Sequence, residues 1–144
     1  MRTWFIASAA AVALLCSACR TDGAGSGPPV PASSDPEGKD LVQGAVVIAY
    51  EKPSNSYRLY KIKKVNYFPP PMGDELVMIA FQETGNDFQH ASDLWRRGEL
   101  SVAVPNARVQ RVMFNKRDYR VIDVQAVTDV DNKLTAGDVL PKGG

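Results

Sequence analysis

Between positions 42 and 127, apolar residues occur in short runs and alternating segments, a pattern typical of β-strands. Residues 42–50 and 76–83 are nearly continuous apolar runs and predict two strands buried in a core. Residues 57–65 predict a strand between them, but the parity of their apolar positions changes near Tyr60. This change predicts either a β-bulge at that point or a strand that is covered on both faces.

Three more strands are predicted in the second half of the chain. Residues 100–104 alternate between apolar and polar side chains and stop at Pro105, and residues 108–114 and 119–127 follow. The successive prolines at positions 69–71 lack the N–H donors that a central strand needs. They are therefore predicted to lie in the connection between the second and third strands.

Residues 86–98 carry the signals of one short helix. Asn86 is predicted to cap its N-terminus, with Gln89 three residues later as in a capping box. Gly98 is predicted to end the helix in the left-handed conformation. The apolar face of this helix, which is expected to lie across the sheet, consists of Phe88, Ala91, Leu94 and Trp95.

About six strands and one short helix predict a mainly β fold of the α+β class. The expected architecture is a small antiparallel roll or a partly open barrel of the SH3-like kind. A doubly wound parallel sheet is excluded because the sequence has no crossover helices. One globular domain is predicted over residues 40–130, followed by a polar C-terminal tail over residues 131–144.

The start of the chain differs in composition from the predicted domain. A positive charge at the second residue precedes an uncharged apolar run over residues 4–15, which is shorter than the roughly 20 residues needed to span a bilayer. The small residues Ser17 and Ala18 stand directly before Cys19. This stretch resembles the signal peptide and lipobox of bacterial lipoproteins. Because Ser17 and Ala18 also suit an ordinary signal peptidase, both kinds of processing stay open.

The resemblance implies that residues 1–18 are removed and that Cys19 receives the acyl chains. The sequence departs from the family at Cys16, where leucine is usual; this residue would leave with the signal peptide, so the mature domain would keep no free thiol. Arg20 after the acylated cysteine implies export to the outer membrane of a cell with two membranes. Residues 19–39, rich in glycine, proline and serine, are predicted to form a flexible linker with an end-to-end distance of roughly 25 Å.

Candidate catalytic and metal-binding groups are few. His90 is the only histidine, whereas nucleophilic catalysis needs a nucleophile, a base and an orienting group that converge in space. The chain is equally poor in zinc ligands. Asp129 and Asp131 have the spacing of a calcium loop, but Lys133 and Leu134 stand where an EF-hand needs an oxygen ligand and a glycine. The sequence therefore predicts no enzymatic activity, no metal and no cofactor.

Basic residues offer one candidate binding surface. The net charge is only +1, but cations recur on the second and the last predicted strands. Lys61 and Lys63 would face water if Tyr60 and Ile62 point inward. If these strands are neighbours, their cations form a positive face suited to an anionic surface or an acidic protein; ordinary solvated strand faces are the alternative. The candidate residues are Arg58, Lys61, Lys63 and Arg117.

The proline-rich connection is the second candidate binding surface. Two aromatic residues and a methionine flank the stiff proline run, and such a segment has little ordering entropy left to lose on binding. The alternative is that its aromatic side chains fold back as a lid on the core. The candidate residues are Tyr67, Phe68, Pro70 and Met72.

These observations predict a lipid-anchored protein of the bacterial cell envelope with a small, non-enzymatic binding domain. Its expected partners are the membrane, through the N-terminal acyl chains, and an envelope protein or anionic surface, through the proline-rich connection or the basic face. Nucleic acid is not an expected partner outside the cytoplasm. The alternative function is an inhibitor or immunity protein that neutralises a toxin or a cell-wall hydrolase.

Overall fold

The computed structural model describes residues 37–140. The predicted signal peptide, the candidate lipidation site Cys19 and most of the predicted linker lie outside the described residues. Within them the elements are, in chain order, β1 (Ala45–Glu51), β2 (Ser56–Asn66), β3 (Glu75–Gly85), α1 (Phe88–Arg97), β4 (Val102–Gln110), α2 (Arg111–Asn115), β5 (Tyr119–Val124) and α3 (Asp129–Lys133).

The five strands found in residues 37–140 form one antiparallel sheet in the order β4-β3-β2-β1-β5. Strands β1 to β4 form a meander, and β5 returns to pair with β1 at the other side. Strands β4 and β5 are therefore the two edges, and the sheet is not closed. The pairing of β2 with β3 shifts between Arg58 and Tyr60, which confirms the irregularity predicted near Tyr60.

The predicted fold class, mainly β with short helical segments, is confirmed, and the open sheet suits a small roll. The prediction of separate strands over residues 100–104 and 108–114 is wrong, because β4 continues through Pro105. Pro105 lies on an edge strand, at a shift in the register with β3, where a missing N–H costs no regular ladder bond. Residues 111–115 form α2 instead of a strand end, because the chain here leaves the β4 edge to reach β5 at the opposite edge.

Both faces of the sheet are buried, which explains why β1 is an almost unbroken apolar run. On the first face, Ile48 and Phe81 pack beneath α1 and the C-terminal segment. On the second face, Val47 and Ile62 pack beneath Phe114 of α2 and neighbouring residues. Burying a phenylalanine side chain contributes about 1.5–3 kcal/mol, so each layer depends on the segment that covers it.

Helix α1 begins one residue later than predicted. The N-cap is Asp87, not Asn86, and its carboxylate accepts a hydrogen bond of 2.7 Å from the backbone N–H of His90. Asn and Asp are equally good caps, so the sequence pattern does not choose between these neighbours. Gly98 ends the helix with φ 68°, which confirms the predicted left-handed position.

The packed domain continues beyond the predicted boundary at residue 130. Thr128 and Asp131 form a capping box at the start of α3. The side chains of Asp131 and Leu134 are buried, and Leu140 packs against the first core. The segment predicted as a polar tail from residue 131 therefore packs against the domain as far as residue 140.

Candidate functional site

A groove with a volume of about 320 Å³ lies on the second face of the sheet, beside Phe114. Successive strands supply its floor, because every second side chain of a strand points to the same face. Its floor is apolar, with Met78, Ala80, Ala107, Val109 and Phe114, and its walls carry Glu51, Arg58, Tyr60, Val104, Arg108 and Arg117.

Glu51 is the carboxylate at the centre of the polar wall. It accepts hydrogen bonds from the Tyr60 hydroxyl and from Nε of Arg58, the latter at 3.1 Å. Nη1 of Arg58 also donates to the carbonyl oxygen of Phe81 at 3.0 Å. Arg58 is therefore fixed at both ends of its guanidinium, and its charge is partly balanced by Glu51.

The hydroxyl of Tyr60 stays protonated at neutral pH. Burial, followed by the hydrogen bond and negative charge of Glu51, raises the pKa of Tyr60 to about 12, although Arg117 and Arg58 oppose the rise. The hydroxyl therefore acts as a neutral hydrogen-bond donor, not as a base or nucleophile, near pH 7.

Arg117 is an exposed cation of the groove. Its guanidinium carbon lies 5.3 Å from the centre of the Phe114 ring, within the range of a cation–π contact. Its Nη1 is 3.5 Å from the Tyr60 hydroxyl, which is a long hydrogen bond. Among residues 37–140, no carboxylate forms an ion pair with Arg117. The groove therefore presents a positive charge that is held against an aromatic ring and that has no ion-pair partner within the described residues.

Two further cations extend the positive region. Arg108, whose side chain is 67% exposed, stands on β4 with its Nη1 3.4 Å from a carboxylate oxygen of Glu75. An adjoining cleft of about 410 Å³ shares Glu51 and Arg117 with the groove and adds Lys116. The positive charges of this region thus come from β2, β4 and the turn before β5, which only the fold brings together.

The structure brings together two of the four basic residues predicted as a site. Arg58 and Arg117 both line the groove. The expectation that Lys61 and Lys63 face water is wrong: Nζ of Lys61 lies 2.9 Å from a carboxylate oxygen of Asp131, and Nζ of Lys63 donates to the side chain of Asn106 at 2.9 Å. Both lysines are buried because β2 is an interior strand of a sheet covered on both faces.

The proline-rich connection is exposed, so the expectation of a lid folded onto the core does not hold. Tyr67 is 74% exposed, Phe68 40% and Met72 55%, and Pro70 is exposed as well. This connection follows the end of β2, whereas Arg58 lies near its start, a separation of about 25 Å along the strand. The two predicted binding surfaces are therefore distinct regions of the molecule.

Sequence reasoning missed the central role of Glu51 and Tyr60. Glu51 and Ser56 are paired residues of the β1–β2 hairpin, so Glu51 is a diagonal neighbour of Arg58 across the two strands. A carboxylate and a guanidinium at diagonal positions on the two sides of a short polar turn were the signal for this contact. Phe114 carried no such signal, because its position beside Arg117 depends on the crossing between the two sheet edges.

His90 lies on the exposed surface of α1, where its Nδ1 accepts a hydrogen bond of 3.4 Å from the backbone N–H of Asn86. Within residues 37–140, no group of three or more His, Cys, Asp or Glu side chains is arranged to hold a metal ion. No helix in the same residues has the length and apolar character to cross a membrane. Comparisons of the chain with protein-family models, curated proteins and solved structures found no match.

Proposed function

We propose that this protein is a lipid-anchored binding protein of the bacterial envelope, whose groove holds an acidic and partly apolar segment of a partner protein. The observation that carries the proposal is Arg117, a guanidinium that stands over Phe114 without a carboxylate partner in residues 37–140. A planar guanidinium supported on a ring suits two parallel hydrogen bonds to a carboxylate.

The surroundings of Arg117 favour a carboxylate that is joined to an apolar group. The Tyr60 hydroxyl and Nε of Arg58 already donate to Glu51. Arg117 and the exposed Arg108 are therefore the groove cations placed to meet a ligand carboxylate. The apolar floor next to these groups suits an aliphatic side chain. A volume of about 320 Å³ is at the lower end for binding pockets, so a short acidic segment with one apolar side chain fits it better than a large ligand.

The anchor part of the proposal comes from the front of the chain. The small residues before Cys19 and the apolar run before them resemble a lipoprotein signal, and acyl chains on Cys19 would keep the domain at a membrane. Two or three acyl chains give stable attachment, whereas one gives marginal attachment. The expected location is the outer membrane, with the domain in the envelope.

Crosslinking in living cells tests the groove. A photoreactive amino acid at Val104, which is 46% exposed on the groove wall, should capture one envelope protein. The same amino acid at Val130, 49% exposed on α3, is the matched control and should not capture it. Arg117→Glu should reduce capture from position 104 at least about tenfold, because it replaces attraction by repulsion at the carboxylate site.

Two results would contradict the groove proposal. The first is capture of the same protein with equal yield from positions 104 and 130. The second is full capture from position 104 in the Arg117→Glu variant. Arg97→Glu, at the exposed end of α1, is the matched charge-reversal control and should leave capture unchanged. Intact-mass analysis of the mature protein tests the anchor separately, since an unmodified thiol at Cys19 would exclude acylation.

A further inference from the structure

Exposed apolar side chains of the described domain concentrate at one end of the sheet. Ten large apolar side chains of residues 37–140 are at least 40% exposed, and six of them belong to three short segments. These segments are the approach to β1, the β2–β3 connection and α2. The six residues are Val42, Tyr67, Phe68, Met72, Val112 and Met113, and we refer to them as the apolar end.

Arg111 joins the three segments of the apolar end. Its backbone N–H donates to the carbonyl oxygen of Asp74 at 2.8 Å, and its Nη1 lies 3.2 Å from the carboxylate of Asp74, at the end of the β2–β3 connection. Its Nη2 donates to the carbonyl oxygen of Leu41 at 3.2 Å, directly before Val42. The exposed residues of α2, which follow Arg111 directly, are therefore held beside the other two segments.

The chain that leads from Cys19 enters the domain at this same end. Gly38 stands against Asn115 at the end of α2, since a Cβ on Gly38 would lie 3.1 Å from the side chain of Asn115. Asp40 accepts a hydrogen bond of 2.8 Å from the hydroxyl of Tyr119. The side chain of Leu41 is fully buried in the second core. Gly38 thus lies at the end of α2 and Leu41 is bonded to Arg111 at its start, so residues 38–41 run along α2, one of the three segments of the apolar end.

We infer that the apolar end rests on the bilayer surface and inserts Phe68, Met72, Val112 and Met113 into the interface between head groups and acyl chains. This inference rests on the proposed acylation of Cys19. The partner of this surface is then the lipid bilayer, not a protein groove or a second copy of the chain. The occupant is indicated by where the described chain begins, because the acylated residue lies only a short linker away from the apolar end.

Weak insertion of the apolar end is sufficient to orient the domain if the linker keeps the domain close to the bilayer. If Cys19 is acylated, a coil with the composition of residues 20–36 would hold the domain within roughly 25 Å of the membrane. Such a tether turns insertion into an intramolecular step with an effective concentration in the millimolar range. Aromatic and long apolar side chains partition favourably into the interface, and the proline-stiffened β2–β3 connection loses little entropy there.

This orientation has a consequence for the groove. Arg58 lies about 25 Å along β2 from the apolar end. The part of the polar wall at Arg58 is then held away from the head groups and presented to the envelope. The groove would meet a protein partner there and not the anionic lipids beneath the domain.

Fluorescent labelling of the full-length, acylated protein tests the inference. Single cysteines replace Met72 and Met113, with Val139→Cys as the matched control; the three native side chains are 55%, 53% and 65% exposed. Val139 bridges to Ser101, before the start of β4, whereas α2 follows the end of β4. Each cysteine carries the same nitrobenzoxadiazole dye, and the protein is reconstituted into vesicles of phosphatidylethanolamine and phosphatidylglycerol with or without doxyl-labelled acyl chains.

The expected result is at least about twofold quenching by doxyl lipids at positions 72 and 113, with little quenching at position 139. Met72→Asp should abolish the quenching at position 113 while the protein still floats with the vesicles. Equal quenching at all three positions, or none at positions 72 and 113 in floating protein, would overturn the inference and leave the anchor and the groove untouched. Failure of the protein to float would overturn the anchor and this inference together, whereas the crosslinking at position 104 reports on the groove alone.

Discussion

Lys61 and Arg58 stand three residues apart on β2 and each meets a carboxylate, but the two ion pairs have different surroundings. The side chains of Lys61 and Asp131 are each 5% exposed, with 2.9 Å between nitrogen and oxygen. The side chains of Arg58 and Glu51 are 26% and 21% exposed, at 3.1 Å. The same strand therefore carries one pair sealed from water and one pair that forms the wall of an open groove.

The difference lies in the segments that cover each pair. Asp131 reaches Lys61 from α3, and it also accepts hydrogen bonds from the backbone N–H of Thr128 at 2.8 Å and from the Thr128 hydroxyl at 3.2 Å. The pair thus joins the C-terminal segment to the centre of the sheet. Around Arg58, by contrast, the chain that crosses the second face leaves the groove uncovered. A closed pair serves stability, and an open pair leaves its charges available to a ligand.

The largest effect is expected from Asp131→Asn. The substitution keeps the shape of the side chain but leaves the ammonium of Lys61 buried without a counter-charge, and breaking a buried pair in this way costs about 3–5 kcal/mol of unfolding free energy. Urea unfolding followed by circular dichroism measures the loss. The exposed Asp129→Asn on the same helix is the control and should change the free energy of unfolding by less than about 0.5 kcal/mol.

The double variant Lys61→Met with Asp131→Leu completes this test. An apolar pair of similar volume can replace a buried ion pair at little cost. The double variant should therefore recover much of the stability lost in Asp131→Asn, less about 1 kcal/mol for the hydrogen bonds from Thr128 that leucine cannot accept. A loss below about 1 kcal/mol in Asp131→Asn would show that water reaches the pair and that the two sites do not differ as described.

The next largest effect is expected from low pH, through the lowered pKa of Asp131 in the buried pair. Burial by itself raises the pKa of Asp131, but the hydrogen bonds from Thr128 and Lys61 and the charge of Lys61 outweigh it, so the pKa lies below its ordinary value. A lowered folded-state pKa stabilises the protein above the unfolded pKa of about 3.9 and loses this contribution as the pH falls further. The unfolding free energy should therefore fall more steeply below pH 4 in the native protein than in the Lys61→Met, Asp131→Leu variant. Parallel curves for the two proteins would contradict the assignment.

The smallest effect is expected from Glu51→Gln in the open pair. The change removes the same charge as Asp131→Asn, but water in the groove can solvate Arg58, so the loss should stay below about 1 kcal/mol. The measurement is the same urea titration, made at low and at high salt. A loss as large as that of Asp131→Asn would mean that the groove is closed in solution.

Local elements could be predicted because their signals are local. The apolar runs of β1 and β3, the parity change at Tyr60 and the glycine end of α1 depend on neighbouring residues in the chain. Such signals reflect side-chain alternation in strands and backbone freedom at glycine. These signals located the core strands β1 and β3 and the helix α1, whose N-cap lies one residue later than predicted.

The errors share one cause. The burial of Lys61, the continuity of β4 through Pro105 and the helical turn at α2 all depend on which strand is an edge and which segment crosses the sheet. The sequence of β2 is compatible with one solvent-exposed face or with two covered faces, and the contact that covers Lys61 comes from Asp131, 70 positions away in the sequence. Contacts between residues so far apart in the sequence produce no periodic pattern of apolar positions.

The sequence by itself determined the positions of β1, β2 and β3, the mainly β class and the resemblance of the front end to a lipoprotein signal, because each depends on residues that are close together in the chain. Only the tertiary structure decided that Arg58 and Arg117 share a groove, that Lys61 is buried, and that Leu41 is bonded to Arg111 of α2. The physical reason is that charge and exposure are properties of surfaces. A surface exists only after distant segments have packed against one another.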